Sequence, residues 1–433
     1  MIVYQEGGMF MYWLPKLEPK EIAITQKERG ILRELASKYA EIASEDRQKE
    51  IKERMFAINC LQLVRPIVLI DELPWHEINV DDRLDCLCEN ELAVKMETFF
   101  RRALLQRDYF PCDRYFEAHY PLPKTYKIEG GLIQDEDLLV TNEKSHIASH
   151  GYHDQLRDDS DLEKLTPPVV EAYPDFDRQR LELVSEILAG ILPVRLQGVD
   201  LWYSPWDEIP TLHGVTQTFT DLVDRPEFMH AIMKKLTENM LSLMEQLERL
   251  GLLAGEKPLI HCVPAFARDL PATDYDGGDY RLKDIWFRGM AQMFSDVSPK
   301  QHEEFDLEYM KPLFAKCGLG YYGCCEALHN KIDMVKKIPN LRRIGVSSWA
   351  DRRLCAEQIG GDYVFSRKPN PATLALKTDP DVVRAEVLDT LEACRENNCV
   401  WEYVLKDVST VGSDINNLVL WERTVRETLD TFY

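Results

Sequence analysis

The segment Gly323-Cys324-Cys325-Glu326 carries the sharpest chemical signal in this 433-residue sequence. Thiolate, imidazole and carboxylate groups bind zinc, and a catalytic zinc site keeps one coordination position open. Because consecutive strand residues point to opposite faces, we expect Cys325 to face the site and Cys324 to pack outward. We therefore predict a zinc site formed by Cys325, Glu326 and His261. His261 lies at the end of another apolar run. The alternative is that both cysteines are small core residues.

Two other patterns give weaker metal signals. His146, His150 and His153 have a spacing that would bring imidazoles together on a helix, but Gly151 makes a helix uncertain. Cys86-Leu87-Cys88 lacks a second cysteine pair. We interpret the histidines as surface groups, and Cys86 and Cys88 as a weak signal for a soft metal.

Other polar and aromatic residues follow apolar runs that read as strands. We predict that Glu77 and Asp207 transfer protons, since carboxyl groups serve as general acids and bases. The predicted substrate-binding residues are Trp75, His76, Trp206, Gln292, Trp349 and Lys368. The alternatives are that the tryptophans only close the end of the fold and that Lys368 is an exposed loop lysine.

A repeated strand and helix pattern would position these residues. From about residue 177 onward, apolar runs alternate with helical patterns. The apolar runs of the whole chain lie at 66–70, 194–203, 258–262, 319–324, 341–346, 363–366 and 400–405. This alternation is typical of parallel βα units. The chain contains neither GxGxxG at a strand-to-helix turn nor GxxxxGK[ST], so we favour an α/β (β/α)8 TIM barrel over a doubly wound nucleotide-binding sheet.

In a barrel of this kind the strand ends meet at one face, where functional residues collect. The polar residues at the predicted strand ends also include Asp71, Glu72, Cys262, Ser366, Lys406 and Asp407. We predict a helical cap over residues 1–60, a barrel over 61–433 and an insertion near 109–170.

Composition limits the classes of partner. The chain has 52 Lys and Arg against 74 Asp and Glu, a formal net charge of -22, and no basic run, which argues against nucleic acid and anionic membranes. No apolar run reaches the roughly 18 residues of a membrane span. Eleven scattered cysteines, an odd number in a long chain, favour a cytoplasmic location.

Several short segments of the second half together resemble one known family. They are Asp207-Glu208-Ile209-Pro210-Thr211-Leu212-His213-Gly214, Asp224-Arg225-Pro226-Glu227-Phe228, Val297-Ser298-Pro299, Gly323-Cys324-Cys325-Glu326 and Gly345-Val346-Ser347-Ser348-Trp349-Ala350-Asp351. Over residues 175–430 the chain is similar to the uroporphyrinogen decarboxylase-like superfamily. The resemblance implies a (β/α)8 barrel with either porphyrinogen decarboxylase activity or zinc-dependent methyl transfer that works with corrinoid proteins.

Two departures from the family motifs narrow this choice. The decarboxylases carry an Arg-x-x-Gly-Arg anchor, and this chain has no Gly-Arg dipeptide. Thiol-methylating members have a His-x-Cys zinc motif where this chain has Gly323-Cys324-Cys325, so Cys325 matches the cysteine and the histidine is absent.

The resemblance then implies a methyltransferase that moves a methyl group from a small donor, such as a methoxylated aromatic, to a corrinoid protein. Its cofactors would be zinc and the cobalamin carried by that partner, and a homodimer is one assembly that fits. The alternatives are a metal-free decarboxylase or lyase using Asp71, Asp207 and Lys368, and a non-catalytic cofactor-binding protein.

Overall fold

The computed structural model describes residues 23–132, 134–139 and 149–433. His146, the first histidine of the predicted triplet, lies outside the described residues. The elements of the first part are α1 (Gln26–Ala43), α2 (Asp46–Asn59), β1 (Ile67–Ile70), α3 (Glu91–Tyr109), β2 (Tyr120–Pro123), β3 (Tyr126–Glu129), β4 (Glu136–Leu139), β5 (Ser149–Tyr152), β6 (Val169–Ala172), α4 (Pro174–Ile187) and β7 (Val194–Gln197).

The second part alternates strands and helices as predicted. Its elements are β8 (Leu201–Tyr203), α5 (Pro205–His213), α6 (Val215–Asp224), α7 (Pro226–Arg249), β9 (Leu259–Ile260), β10 (Val263–Pro264), β11 (Trp286–Gly289), α8 (Pro299–His302), α9 (Glu308–Lys316), β12 (Leu319–Tyr322), α10 (Ile332–Val335), β13 (Leu341–Val346), α11 (Arg352–Ile359), β14 (Val364–Arg367), α12 (Pro380–Glu396), β15 (Val400–Leu405) and α13 (Asn416–Asp430). None of the described helices is long and apolar enough to cross a membrane.

The centre of the molecule is a seven-stranded sheet in the order β1-β15-β14-β13-β12-β11-β8. All six strand pairs are parallel, so the α/β class with a parallel sheet is confirmed. The first strand lies beside the last, and the two edges are β1 and β8. Among the described residues no strand pairing joins those two edges, and the closed eight-stranded TIM barrel stays a prediction.

Each face of this sheet has its own composition. On one face, large apolar side chains such as Phe287, Ile344 and Phe365 pack in the main core together with the helices that follow the strands. The other face, which we call the inner face, begins with the apolar Trp286, Leu319, Val364 and Val400 near the amino ends of the strands.

Further along the same strands the inner face becomes polar. Side chains two residues apart share a face, so Trp286 is followed by Arg288, Leu319 by Tyr321 and Val400 by Glu402. All of these polar side chains are buried. The inner face therefore leads from an apolar layer to a charged layer at the carboxyl ends of the strands.

The predicted N-terminal helices exist, but they pack in different places. α1 joins α3 and α4 in a separate apolar cluster that includes Leu32, Met96 and Val184. α2 instead packs Ile51 and Met55 against the cluster that contains the inner-face residues. The proposed domain boundary at residue 60 remains a prediction.

Two predicted strands differ in the structure, and one strand was not predicted. The run at 194–203 divides into β7, which pairs with β2, and β8, which belongs to the central sheet. The run at 258–262 is not a sheet strand, because the chain turns at His261 and Cys262 to form the short antiparallel pair β9–β10. β11, which the sequence pattern missed, takes a place in the sheet although its central Arg288 interrupts the apolar run.

Candidate functional site

Three side chains of types that can bind a metal meet beyond the carboxyl ends of β12 and β15. The Sγ atoms of Cys324 and Cys325 are 3.5 Å apart, and Cys325 Sγ donates to Asp407 Oδ2 at 3.2 Å. Cys324 is buried and Cys325 is half-buried. We call Cys324, Cys325 and Asp407 the thiol cluster.

Both thiols lie on the same side of the chain, which corrects the prediction that they diverge. The strand ends at Tyr322, before the two cysteines. Gly323 then takes a φ of +102°, a conformation that L side chains rarely adopt, so the chain turns and the strand alternation no longer applies.

A second group of possible metal ligands lies at the same edge of the sheet. It consists of Glu72 after β1 and of His261 and Cys262 in the β9–β10 turn. His261 Nε2 lies 3.1 Å from Glu72 Oε1, while the Nδ1 atom of His261 is buried without a hydrogen-bond partner.

Lys406 connects the two groups. Its Nζ atom lies 3.2 Å from Cys324 Sγ, 3.2 Å from Glu72 Oε2 and 3.0 Å from Asp407 Oδ2. The lysine side chain is only 3% exposed, so water screens these contacts little. One ammonium group therefore neutralises acidic atoms of both groups.

The backbone of the site is strained at three positions. Glu72, His261 and Asp407 have φ values of +52°, +54° and +54°. Positive φ costs a residue with a side chain about 1 kcal/mol or more, and such strain concentrates at functional sites. Each of the three residues contributes a polar group to this edge of the sheet.

The surroundings of the two thiols give them different pKa values. The contact between the two sulfur atoms lowers the pKa of Cys324 well below its ordinary value, and the charges of Arg288 and Lys406 act in the same direction. The same contact raises the pKa of Cys325, with burial adding to the effect. Cys324 is therefore the more acidic thiol of the pair.

Burial also shifts the pKa values of the neighbouring Glu72 and His261. It raises the pKa of Glu72 to about 8, and the adjacent carboxyl group of Asp407 contributes to this rise. Burial lowers the pKa of His261 well below its usual range, and the positive charges of Arg288 and Lys406 reinforce the effect. His261 is thus a neutral imidazole, the form that binds metals.

Glu326, a predicted zinc ligand, is fully buried and is not one of the side chains that meet in the thiol cluster. One of its carboxylate oxygens accepts the backbone N–H of Ala291 at 3.1 Å, and the other accepts that of Cys324 at 2.9 Å. Its role in this structure is to hold the chain that carries the cysteines.

The two predicted proton-transfer residues lie in different surroundings. Asp207 Oδ2 accepts hydrogen bonds from Ser204 and Gln292, both at 2.7 Å, and burial raises its pKa. One oxygen of Glu77 accepts the N–H groups of Val411 and Ser413, and hydrogen bonds of this kind keep its pKa low despite partial burial. Asp207 is the better proton donor of the two.

The predicted substrate-binding residues are dispersed. Trp206 is fully buried and packs on Phe294 with ring centroids 4.3 Å apart, so it is a core residue. Trp349 is 72% exposed on the surface. Lys368 is buried on the inner face.

Trp75 and His76 lie together at a separate surface cleft of about 360 Å³. The cleft is lined by Trp75, His76, Asn79, Leu84, Thr98 and Arg102. The guanidinium of Arg102 lies 4.8 Å from the Trp75 ring centroid, an ordinary cation–π contact.

Sequence reasoning overlooked Arg288 because it missed β11. It named Glu72, Lys406 and Asp407 as strand-end residues without giving them a role. These residues follow β1 and β15, the first and last predicted strands. Because the first and last strands are neighbours in a barrel, this position was a signal that the three side chains lie close together.

Comparisons with known proteins add little at the level of sequence. No protein-family model matches the chain, and no curated protein matches it. Among solved structures, a methyltransferase from Methanosarcina mazei is similar, with a TM-score of 0.49 and 11% sequence identity, over 88% of this chain and 99% of that chain.

Proposed function

We propose that this protein is a zinc-dependent methyltransferase that moves a methyl group from a small donor, such as a methoxylated aromatic, to a corrinoid protein. The observation that carries the proposal is the convergence of Cys324, Cys325 and Asp407 beyond the carboxyl ends of parallel strands. The family resemblance of the surrounding segments supports methyl transfer and the corrinoid partner.

The spacing of the donor atoms suits zinc. Zinc binds thiolate sulfur at about 2.3 Å and carboxylate oxygen at about 2.0–2.2 Å, so tetrahedral S–S and S–O neighbours lie roughly 3.5–3.8 Å apart. The separations of 3.5 Å between the sulfurs and 3.2 Å from Cys325 Sγ to Asp407 Oδ2 are close to that range. Three protein ligands leave the fourth position for the substrate.

Lys406 is the main competitor for this site, because its ammonium lies against the same atoms that would hold the metal. A bound zinc ion would replace this positive charge and leave the ammonium its contact with Glu72. The site therefore exchanges one cation for another.

The chain's own residues supply the remaining chemistry. Zinc, when bound, would act as a Lewis acid that polarises the donor oxygen. The C–O bond to the methyl group would break, the oxygen would keep the bonding electrons and take a proton, and the reduced corrinoid of the partner would accept the methyl group. Asp207 is suited to supply that proton, because burial raises its pKa while Ser204 and Gln292 hold its position.

The first test is the metal content of the purified protein together with methyl transfer from 4-methoxybenzoate to reduced cobalamin. We expect about one zinc per chain, loss of zinc and of methyl transfer in Cys325→Ser, and no loss in Cys60→Ser, a half-buried cysteine outside the thiol cluster. Zinc-free protein that transfers methyl groups at the full rate would contradict the proposal.

Lys406→Met gives a second, independent measurement. Because the competing ammonium is removed, we expect zinc to bind at least as tightly as in the wild type when followed by competition with a chelator. Weaker zinc binding in this variant would mean that the ammonium and the metal do not share the thiol cluster.

A further inference from the structure

Arg288 and Lys368 are buried basic residues on the inner face, and among the residues that the structure describes neither forms a salt bridge with a carboxylate. Within the described part of the chain, all three guanidinium nitrogens of Arg288 are buried and lack a hydrogen-bond partner. The ammonium of Lys368 donates to the hydroxyl and the carbonyl oxygen of Ser366, both neutral groups. Arg288 is 0% exposed and Lys368 is 4% exposed, so water does not solvate either charge.

Arg288 differs in this respect from the other large, fully buried arginines. Arg343 pairs with Glu402 at 3.0 Å, Arg367 with Glu386 at 2.9 Å, and Arg180 lies 3.7 Å from Asp177. A buried ion without a counter-ion is strongly unfavourable, and proteins normally pair such groups. Cys324 and Glu72 act on Arg288 through their charge but accept no hydrogen bond from it. The acceptor for its N–H groups therefore lies outside the described residues.

Tyr321 lies between the two cations. Arg288 is its direct register neighbour on β11, with Cζ 5.2 Å from the ring centroid, and Lys368 Nζ lies 5.5 Å from the same centroid. The hydroxyl of Tyr321 is also buried without a hydrogen-bond partner. The guanidinium of Arg288 and the hydroxyl of Tyr321 are thus hydrogen-bond donors without acceptors among the described residues, on one face of the sheet.

We propose that Arg288, Lys368 and Tyr321 bind a carboxylate group of the substrate. The guanidinium can donate two parallel hydrogen bonds to the two carboxylate oxygens, and the tyrosine hydroxyl can donate a third. Lys368 supplies a further positive charge. A single guanidinium fork matches a planar carboxylate more closely than a tetrahedral phosphate.

The position of this site relates it to the thiol cluster. Cys324 follows Tyr321 by three residues, which is at most about 10 Å of extended chain. A small aromatic acid bound by Arg288 would extend toward the thiol cluster. The identification of the methyl donor as an acid rests on the proposed function, whereas carboxylate binding by Arg288 does not.

Calorimetric titration of the full-length protein tests the binding step. The probes are benzoate, 4-methoxybenzoate, the neutral methoxybenzene and inorganic phosphate. We expect both benzoates to bind, and Arg288→Met to raise their dissociation constants about 10- to 100-fold. Arg268→Met, which removes an exposed arginine, should leave them unchanged.

Three results would overturn the proposal. They are the absence of binding by either benzoate, equal affinities in wild type and Arg288→Met, and tighter binding of phosphate or methoxybenzene than of the benzoates. The wild type is the reference for each measurement. Circular dichroism verifies that each variant is folded.

Urea unfolding separates binding from a purely structural role. Removal of an unpaired buried charge should leave Arg288→Met at least as stable as the wild type, whereas Arg367→Met, which leaves Glu386 without its partner, should be less stable. A loss of stability in Arg288→Met as large as in Arg367→Met would make Arg288 a structural residue.

The same titrations with Cys325→Ser and with chelator-treated protein separate this proposal from the proposed function. Benzoate binding that persists in these zinc-free proteins would show that the carboxylate site does not depend on the metal. Benzoate binding by wild-type protein that neither holds zinc nor transfers methyl groups would support the carboxylate site and reject the methyltransferase. Zinc binding and methyl transfer that persist in Arg288→Met with unchanged benzoate affinity would reject the carboxylate site alone.

Discussion

Glu208 illustrates how burial alone changes the chemistry of a single residue. It lies in the first turn of α5, directly after Asp207, and its Oε2 atom is buried without a hydrogen-bond partner. Burial raises its pKa to about 8, and no charged neighbour contributes to the shift. The folded protein therefore holds Glu208 as a neutral acid at pH 7.

This shift makes the stability of the protein depend on pH. The folded-state pKa of about 8 exceeds the ordinary value of 4.5, so the stabilisation is complete below pH 4.5 and is lost as the pH rises through 8. We expect Glu208→Gln to be close to wild type at pH 5 and more stable at pH 8.5. The difference in the free energy of unfolding should be at most about 4 kcal/mol.

Urea unfolding at both pH values measures this difference. Glu227→Gln is a suitable control, because Glu227 is an exposed glutamate in the first turn of α7. The same stability difference between Glu208→Gln and wild type at pH 5 and pH 8.5 would contradict the prediction.

At the scale of elements, one buried ion pair joins three strands and a helix. Arg343 of β13 donates to Glu402 of β15 at 3.0 Å, and Ser366 of the intervening β14 donates to the same carboxylate. Arg343 also donates to Asn59 at the end of α2. The network holds α2 against the sheet at the level where the inner face becomes polar.

Removing only the acidic partner of the Arg343–Glu402 pair should lower the stability of the protein. We expect Glu402→Leu to lower the free energy of unfolding by about 3–5 kcal/mol, because Arg343 would remain buried without its counter-ion. The double variant Arg343→Met/Glu402→Leu should recover most of that loss. Urea unfolding of the single and double variants measures both effects, and a double variant as unstable as the single one would disprove this explanation.

At the scale of the whole molecule, the dominant feature is a formal net charge of -22. Excess charge of one sign repels itself more strongly in the compact state than in the unfolded chain. Salt screens this repulsion over distances of about 10 Å at 0.1 M ionic strength. The folded protein should therefore gain stability with moderate salt.

Thermal denaturation in 10 mM and 300 mM NaCl checks this expectation at pH 8. We expect the midpoint to rise by a few degrees at the higher salt concentration. Near the isoelectric point the rise should disappear, because the net charge vanishes there. A midpoint that falls with salt at pH 8 would show that local ion pairs outweigh the net repulsion.

The sequence alone determined the local elements and the residue types available for chemistry. Apolar runs bounded by turn residues gave β1 and β13 to β15 nearly at their observed limits, since burial on both faces of a parallel strand requires such runs. The alternation of those strands with helices determined the parallel α/β class. The strand-end positions of Cys325, Lys406 and Asp407 followed from the same pattern.

Only the tertiary structure decided which of these groups meet and in what state. The turn at Gly323 brings both thiols to one side, and the pairing of β1 with β15 brings Glu72 to Lys406 and Asp407. Arg288 could not be recognised, because an arginine inside a short strand is favourable only where the fold provides or admits a counter-ion. Distances across the sheet, burial and charge pairing depend on contacts between distant parts of the chain, and these determine the site.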